Sequence, residues 1–342
     1  MADDSKLSSD LVLAADLGGT HLRTAAIDQN GKIHFRSKRQ TPKADKPAVI
    51  VEAIVDAVND CRRSDALTGK TIAALSIAVP GTVSFNERRV ITVPNLPCLE
   101  NFDLGPVVQE AVGCPVLIEN DANAAVLGEM WLGAARGYQN VICITLGTGV
   151  GGGIILNGEL LRGVDGSAGE IGHIGVDPFS GVRCNCGSEG CLEVYASGTG
   201  IVRMATESLS GQALWALQAE GALTAERLFA SAMNGDKFPL NVFKRMGSYL
   251  GVGIASLVNL LNPEMVVIGG GVANAWQLFE ESMLHTIAER SFPAPAKRVK
   301  ITRAECGDDA GLLGAARLAF VQMSDMLYSL SMTIATNQPR PK

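Results

Sequence analysis

One pattern occurs twice in this chain. Residues 12–24 and 142–154 each read as an apolar strand, a Leu-Gly step, a small hydroxyl residue near a second glycine, and a second strand. Two strand–turn–strand units of one kind predict duplicated α/β lobes, and two such lobes predict a cleft between them that takes a ligand. The length allows this: the chain has 342 residues, and single cores stop growing near ~250–300 residues.

Residues 11–16 predict a buried strand that ends on a carboxylate, Asp16. Residues 22–28 and 32–37 predict two more strands, joined at Asn30-Gly31, a dipeptide suited to tight hairpin turns. Val49, Ile50, Ala53, Ile54, Ala57 and Val58 recur at helical spacing within 47–63. Residues 72–79 read as a strand ending in Pro80-Gly81, and 116–118 as a short strand running into Glu119-Asn120-Asp121 and a helix to about Leu132. Residues 141–146 and 153–156 predict strands, followed by a second hairpin signal, Asn157-Gly158. Residues 162–193 read as ordered loop, and 196–262 as helical with interruptions at Asn234-Gly235 and Pro239. A buried strand at 265–268, a strand at 299–302 and a helix at 309–323 complete the series. The expected division is a small lobe over 11–119, completed by the helix 309–323, a large lobe over 120–308 holding the loop 162–193, and a loose tail over 324–342.

Composition narrows the function classes. A formal net charge of -6 disfavours nucleic acid and anionic membrane as the main partner. No apolar run approaches the roughly 18 residues that span a bilayer, so no membrane association is expected. Residues 1–10 are polar and acidic and lack the pattern of a secretory leader, so the expected location is cytoplasmic. Thiols stay reduced there, which argues against reading the eight cysteines as a disulfide framework. Cys61, Cys98, Cys114 and Cys143 lie among apolar residues and read as buried free thiols.

A phosphate needs donors at close range with no bulky side chain in the way, and glycine-rich turns supply backbone N–H groups in that form. Asp16-Leu17-Gly18-Gly19-Thr20 offers two such amides and a hydroxyl, and Gly147-Thr148-Gly149 a similar set. Asp16 is suited to hold magnesium through water. Neither turn is a Walker A loop, which needs Gly-Lys-Ser/Thr, or a dinucleotide fingerprint, which needs a helix where a hairpin follows here. Either alone could be a plain hairpin turn. The pair, with Gly269-Gly270-Gly271 after a third strand, points to a nucleotide, the third turn packing on its adenine or ribose.

Residues 184–193 read Cys-Asn-Cys-Gly-Ser-Glu-Gly-Cys-Leu-Glu. Three cysteines this close, with glycines that let the chain double back, form a zinc-ligand pattern, and His173 upstream is the candidate fourth ligand for a closed tetrahedral site alongside Cys184, Cys186 and Cys191. Such a site has no open position and is structural. A buried or redox cluster is the alternative. Asn120-Asp121 marks a strand-to-helix junction where Asp121 could cap the helix. Glu170, His173 and Glu193, with Asn120 and Asp121, make a set of donors and acceptors suited to a polyhydroxylated ligand.

These motifs, taken together and in this order, resemble the ROK family (repressor, open reading frame, kinase) of sugar kinases and sugar-responsive repressors in the actin-like ATPase superfamily. Asp16-Leu17-Gly18-Gly19-Thr20 looks like its first phosphate motif. Ala168-Gly169-Glu170-Ile171-Gly172-His173 with residues 184–193 looks like its signature. The resemblance covers roughly 11–320. It implies an α/β fold of two actin-like (ribonuclease H-like) lobes around a central cleft, with a zinc-binding loop. It implies ATP, Mg2+ and a structural Zn2+, and transfer of phosphate to the 6-hydroxyl of a hexose. Glucose leads, with N-acetylglucosamine, mannose, N-acetylmannosamine and fructose as alternatives. Asp121 is then the general base. Gly81, Asn120, Glu170, His173 and Glu193 meet the sugar, with Asn95 a further contact, and one ring nitrogen of His173 goes to zinc. Asp16, Gly18, Gly19, Thr20, Gly147, Thr148, Gly149, Gly270 and Gly271 meet magnesium or nucleotide. The expected assembly is a homo-oligomer, a dimer or tetramer. Two residues depart from the family pattern: His21, where many members have Lys, and Leu99, where an aromatic is frequent. The competing reading is a sugar-sensing repressor without catalysis. Family repressors carry a helix-turn-helix before the first phosphate motif, and only ten residues precede Leu11 here.

Overall fold

The computed structural model describes residues 10–179, 181–209 and 221–336. They divide into two compact units. Unit 1 takes the chain up to Gly133, then Arg162–Ser167, then the chain from Asp308 onward; unit 2 takes Ala134–Leu161 and Ala168–Gly307.

Unit 1 contains β1 (Asp10–Leu17), β2 (His21–Ile27), β3 (Ile33–Gln40), α1 (Pro47–Arg62), β4 (Thr71–Val79), β5 (Thr82–Ser84), β6 (Arg89–Thr92), α2 (Leu104–Val112), β7 (Val116–Asn120) and α3 (Asp121–Leu132), and a C-terminal helix (Ala310–Thr336). Its main sheet runs β3-β2-β1-β4-β7. The strands β1, β2 and β3 pair antiparallel; β4 joins β1, and β7 joins β4, in parallel. Leu11, Leu13, Ala15 and Leu17 point from β1 into a core with Ile50, Ile54 and Val58 of α1 and Leu104 and Val108 of α2. The opposite face carries Ala14, Ala25 and Ala78. Small side chains there let the C-terminal helix lie close on β1 and β4. That helix in turn packs on α3, where Gly128 and Gly314 face the Ala310 and Ala124 carbonyls at distances no Cβ would allow. The helix α3 is buried on nearly all sides, as Ala122–Ala125, Val126 and Gly128 show.

Unit 2 contains β8 (Val141–Leu146), β9 (Val150–Leu156), β10 (Glu159–Leu160), α4 (Glu193–Ala196), α5 (Gly198–Ser208), α6 (Ala225–Met233), α7 (Lys237–Leu261), β11 (Met265–Gly269), α8 (Trp276–Arg290), α9 (Pro293–Arg298) and β12 (Lys300–Arg303). Its sheet runs β10-β9-β8-β11-β12. The strands β8, β9 and β10 are antiparallel, and β11 and β12 continue from β8 in parallel. Strand for strand this is the order of unit 1, so the repeated sequence pattern reflects a repeated sheet. Ile142, Ile144 and Leu146 share a core with Leu250, Ile254, Phe279 and Met283 of the paired helices α7 and α8. Both hairpin signals hold: Gly31 has φ 81°, and Asn157 and Gly158 have φ 53° and 80°.

Four expectations are corrected. The unit boundary falls after Gly133, not at 119/120, because α3 packs within unit 1. The segment Arg162–Ser167 also belongs to unit 1. Pro239 does not break α7: it is the third residue of that helix, where an N–H has no intrahelical partner to lose. The last helix runs to Thr336, not 323, since no glycine or proline occurs between Ala315 and Thr336 to stop it. Residues 210–220, part of the stretch read as helical, and 337–342 lie outside the described residues. The strands β5 and β6 and the helices α2 and α9 are additions, all too short to stand out by periodicity.

Candidate functional site

In unit 1 the turn between β1 and β2 is closed by the Gly18 N–H, which donates to the His21 carbonyl at 2.9 Å. Thr41 fastens it from the side, its Oγ1 donating to the Gly18 carbonyl at 2.6 Å and its N–H to the Thr20 carbonyl at 2.9 Å. The N–H groups of Gly19 and Thr20 have no partner among the described residues, and both residues are exposed. These are the amides the turn leaves open; that of Gly18, expected among them, is spent on closing it. Asp16 ends β1 beside it. Burial raises the Asp16 carboxyl above its ordinary pKa, and the Arg23 guanidinium, 3.2 Å from Oδ2, opposes that. Oδ2 accepts from Arg23 Nη1.

The second cluster in unit 1 forms where β7 meets α3. The cap of α3 is Asn120, not Asp121: its Oδ1 accepts the N–H groups of Ala122 and Asn123 at 2.9 and 3.0 Å. A cap of this kind contributes about 1 kcal/mol. Its Nδ2 donates to the Gly81 carbonyl at 2.8 Å, which leaves one amide hydrogen for a ligand. Gly81 has φ 85°, and a Cβ there would collide with the Thr92 carbonyl, so only glycine serves. Asp121 is exposed, with Oδ1 accepting the Ala122 N–H at 2.8 Å.

In unit 2 the turn between β8 and β9 is closed by the Gly147 N–H, donating to the Gly149 carbonyl at 3.0 Å. The start of α5 holds it: the Gly198 N–H donates to the Gly147 carbonyl at 2.8 Å, and Thr199 Oγ1 to the Thr148 carbonyl at 2.9 Å. The turn opens on a cavity of about 470 Å³ lined by Gly147, Thr148, Thr199, Thr224, Glu226 and Val272, among others. Gly271 lines it as well, but two expected contacts do not. Gly149 faces the Glu193 carboxylate, and Gly270, at φ 85°, lies against the Leu146 carbonyl. The walls that sequence reading missed are the starts of α5 and α6. Their signals are present in hindsight: Ser197 accepts the Gly200 N–H and Thr224 the Arg227 N–H, each a hydroxyl cap before a helix.

The third cluster, also in unit 2, joins 168–173 to 184–193. Gly152 and Gly172 let the first segment lie on β9, where a Cβ on either would meet Ile171 or the Val150 carbonyl. Ile171 is thereby buried, and Glu170 and His173 stay exposed. The ligand atoms of His173, Cys184, Cys186 and Cys191 all lie within 4.8 Å of one another. The Sγ atoms of Cys186 and Cys191 are 3.7 Å apart, and Cys184 Sγ is 3.6 Å from His173 Nδ1. A tetrahedral zinc with bonds of about 2.3 Å sets sulfurs about 3.8 Å apart, whereas a disulfide needs about 2.05 Å. The donor set therefore fits a closed zinc site. Burial pushes the Cys191 thiol up to about 12 and raises Cys184, while the Ser188 N–H lowers Cys186; a dication bound here would supply the charge that ionises all three. The other ring nitrogen of His173, Nε2, faces Glu170 Oε2 at 3.8 Å. Glu193 stands between the cluster and the turn, its Oε2 accepting the Val150 N–H at 2.9 Å.

Unit 1 thus carries Gly81, Asn120, Asp121 and Asp16, and unit 2 carries Glu170, His173, Glu193 and the nucleotide-sized cavity. Among the described residues no helix is long and apolar enough to cross a membrane.

Residues 12–321 match the model of the ROK family. A glucokinase of Halalkalibacterium halodurans is 38% identical over 318 residues, covering 92% of this chain and 96% of that protein. The ROK hexokinase structure from Thermus thermophilus superposes with a TM-score of 0.77 at 33% identity, over 92% of this chain and 99% of the other. A ROK glucokinase from Streptomyces griseus, solved with glucose and AMPPNP, gives 0.75 at 35% identity, over 90% and 98%. The xylose repressor of Caldicellulosiruptor bescii is also similar, 30% identical over 92% of this chain and 79% of its own length.

Proposed function

This chain belongs to the ROK family, and on that premise we propose that it transfers the γ-phosphoryl group of ATP to the 6-hydroxyl of glucose. The observation that carries the reading is that each unit has an amide-bearing turn and that unit 1 also has a carboxylate, Asp121, at a helix start capped by Asn120. The glucokinases among its relatives support glucose as the acceptor.

The residues divide the work. The unit 2 cavity takes the nucleoside, and Thr148 on its rim offers an open amide to phosphate. Gly19 and Thr20 offer the same donors from unit 1, and such fixed dipoles stabilise the charge that spreads over the transferring group. Asp16 is the residue suited to hold magnesium, which when bound neutralises phosphate charge. Glucose hydroxyls are met by Asn120, Glu170, Glu193 and Nε2 of His173, and by the backbone at Gly81. Asp121 accepts the proton of the attacking 6-hydroxyl. His173, Cys184, Cys186 and Cys191 would hold a structural zinc, and a His173 ring bound through Nδ1 would present Nε2 to the sugar.

A second reading, a sugar sensor without turnover, has the similarity to xylose repressors in its favour. A coupled ADP-release assay over glucose, mannose, fructose, N-acetylglucosamine and N-acetylmannosamine separates the two. Release with glucose is expected; sugar binding with no ADP from any of the five establishes the sensor.

A further inference from the structure

Beneath Asp121 lies a buried charge to which the proposed reaction assigns no task. Glu119, near the end of β7, is 1% exposed. Its Oε1 accepts the backbone N–H of Asn120 and the Nδ2 of Asn123, each at 3.0 Å. Its Oε2 accepts Nε–H of Arg162 at 2.8 Å. The Arg162 guanidinium lies over the Phe85 ring, 4.0 Å from its centroid. Arg162 opens the segment Arg162–Ser167, which packs in unit 1 although the residues on both sides of it belong to unit 2. Gly166 holds the same segment against β5, at φ 87° and in contact with the Val83 carbonyl.

Stability alone is a poor reason for such an arrangement. Removing two charges from water costs several kcal/mol per ion, and well-packed apolar residues often do as well or better. What the pair supplies is direction. Two of the three bonds on Glu119 end on residues that flank Asp121: the peptide of Asn120 just before it and the side chain of Asn123 in the same helical turn. The third ends on Arg162, whose plane is fixed by Phe85. Asn120, held at its backbone by Glu119, uses its own side chain to cap α3 and to hold Gly81. A rotation of the junction would therefore move the base and the Gly81 turn together.

We propose that Glu119 and Arg162 form a positioning pair that sets the orientation of the Asp121 carboxylate and ties it to the segment leading into 168–173. The inference rests on the reading of Asp121 as the general base. Both residues act through Asn120 and Asn123, without touching the reacting atoms.

The test is steady-state kinetics with glucose and ATP, glucose calorimetry and thermal melts on wild type, Arg162→Gln, Arg162→Lys and Phe85→Leu. Arg162→Gln should lower kcat about 10²-fold, the effect of a misplacement near 1 Å, with glucose Kd and the KM for ATP changed less than about threefold. Arg162→Lys should recover only a small part, because an ammonium keeps the charge but neither stacks on Phe85 nor donates along the Nε direction. Phe85→Leu leaves both charges in place and should lower kcat about threefold. An Arg162→Gln protein that melts earlier but turns over normally would show a purely structural pair and overturn the proposal, as would losses of glucose affinity and kcat in step. Should Arg162→Gln fail to fold, Phe85→Leu decides, and an unchanged kcat there overturns the proposal. A wild type inactive on every sugar removes the kinase reading and this inference together; an active wild type with undiminished variants removes the pair alone.

Discussion

The two glycine turns answer the same sequence pattern with the same local bonding and different surroundings. In each, the first glycine uses its N–H to close the turn, and the next two N–H groups are left open: Gly19 and Thr20 in unit 1, Thr148 and Gly149 in unit 2. Around the unit 1 turn stand carboxylates and their cation, Asp16, Arg23 and Asp308. Around the unit 2 turn stand two capped helix starts, a cavity and Glu193. The difference teaches that a duplicated fold need not duplicate function. On the proposed reading, unit 1 holds the proton acceptor and the magnesium carboxylate beside some of the binding groups, and unit 2 holds binding groups alone. Substitutions in unit 1 should then lower turnover, and those in unit 2 should lower affinity.

The largest effect is expected from Asp121→Asn. The amide keeps the shape and loses the proton acceptor, so kcat should fall about 10²–10⁴-fold while glucose affinity, by calorimetry, stays within about tenfold. Near-normal turnover would break the assignment of chemistry to unit 1. Next comes the metal cluster of unit 2. Cys186→Ser should remove zinc, as elemental analysis reads it, and weaken glucose binding about 10–100-fold with little change in nucleotide affinity. A zinc-free variant that binds glucose normally would detach the cluster from the sugar.

A smaller effect sharpens the contrast between the turns themselves. A Cβ at Gly149 collides with the Glu193 carboxylate, which the Val150 N–H holds in place, whereas one at Gly19 meets Asn95, its Cβ at 3.1 Å. Overpacking of this kind costs roughly 1–3 kcal/mol, so Gly149→Ala should weaken AMPPNP binding about tenfold, and Gly19→Ala less. Equal losses would mean that Glu193 does not brace the turn.

The smallest effect is a pH dependence in unit 1. Burial raises the Asp16 carboxyl, against the pull of Arg23. A group whose pKa is raised on folding favours the folded state below its unfolded pKa and loses that advantage as the pH rises through the folded value. Asp16 ionised at neutral pH is therefore a small cost to the metal-free fold. Asp16→Asn should melt slightly later than wild type near pH 8, and the gain should vanish in acid. Magnesium-dependent nucleotide binding in the wild type should also decline at a higher pH than an ordinary aspartate would set. A gain in Tm that grows toward acid would show the sign to be wrong.

What the sequence determined by itself is the part carried by neighbours along the chain. Asn30-Gly31 and Asn157-Gly158 announce the hairpins, and the positive φ at Gly31, Asn157 and Gly158 bears them out. The spacing of Cys184, Cys186 and Cys191 announces a candidate metal-ligand set, because glycines on so short a loop let the three sulfurs converge. The repeated strand–turn–strand pattern announces two like sheets. The tertiary structure decided which of two adjacent polar residues does which task. Asn120 and Asp121 are both good helix caps by type, and only the direction in which β7 enters α3 gives the cap to Asn120. It also turned Gly149 toward Glu193, put the starts of α5 and α6 around the cavity, and brought Arg162 to Glu119 across the intervening helix α3 and strands β8, β9 and β10. The physical reason is one of range. Turn geometry and short ligand loops are settled by torsions within a few residues, whereas caps, cavity walls and buried ion pairs depend on which face of an element finds a partner.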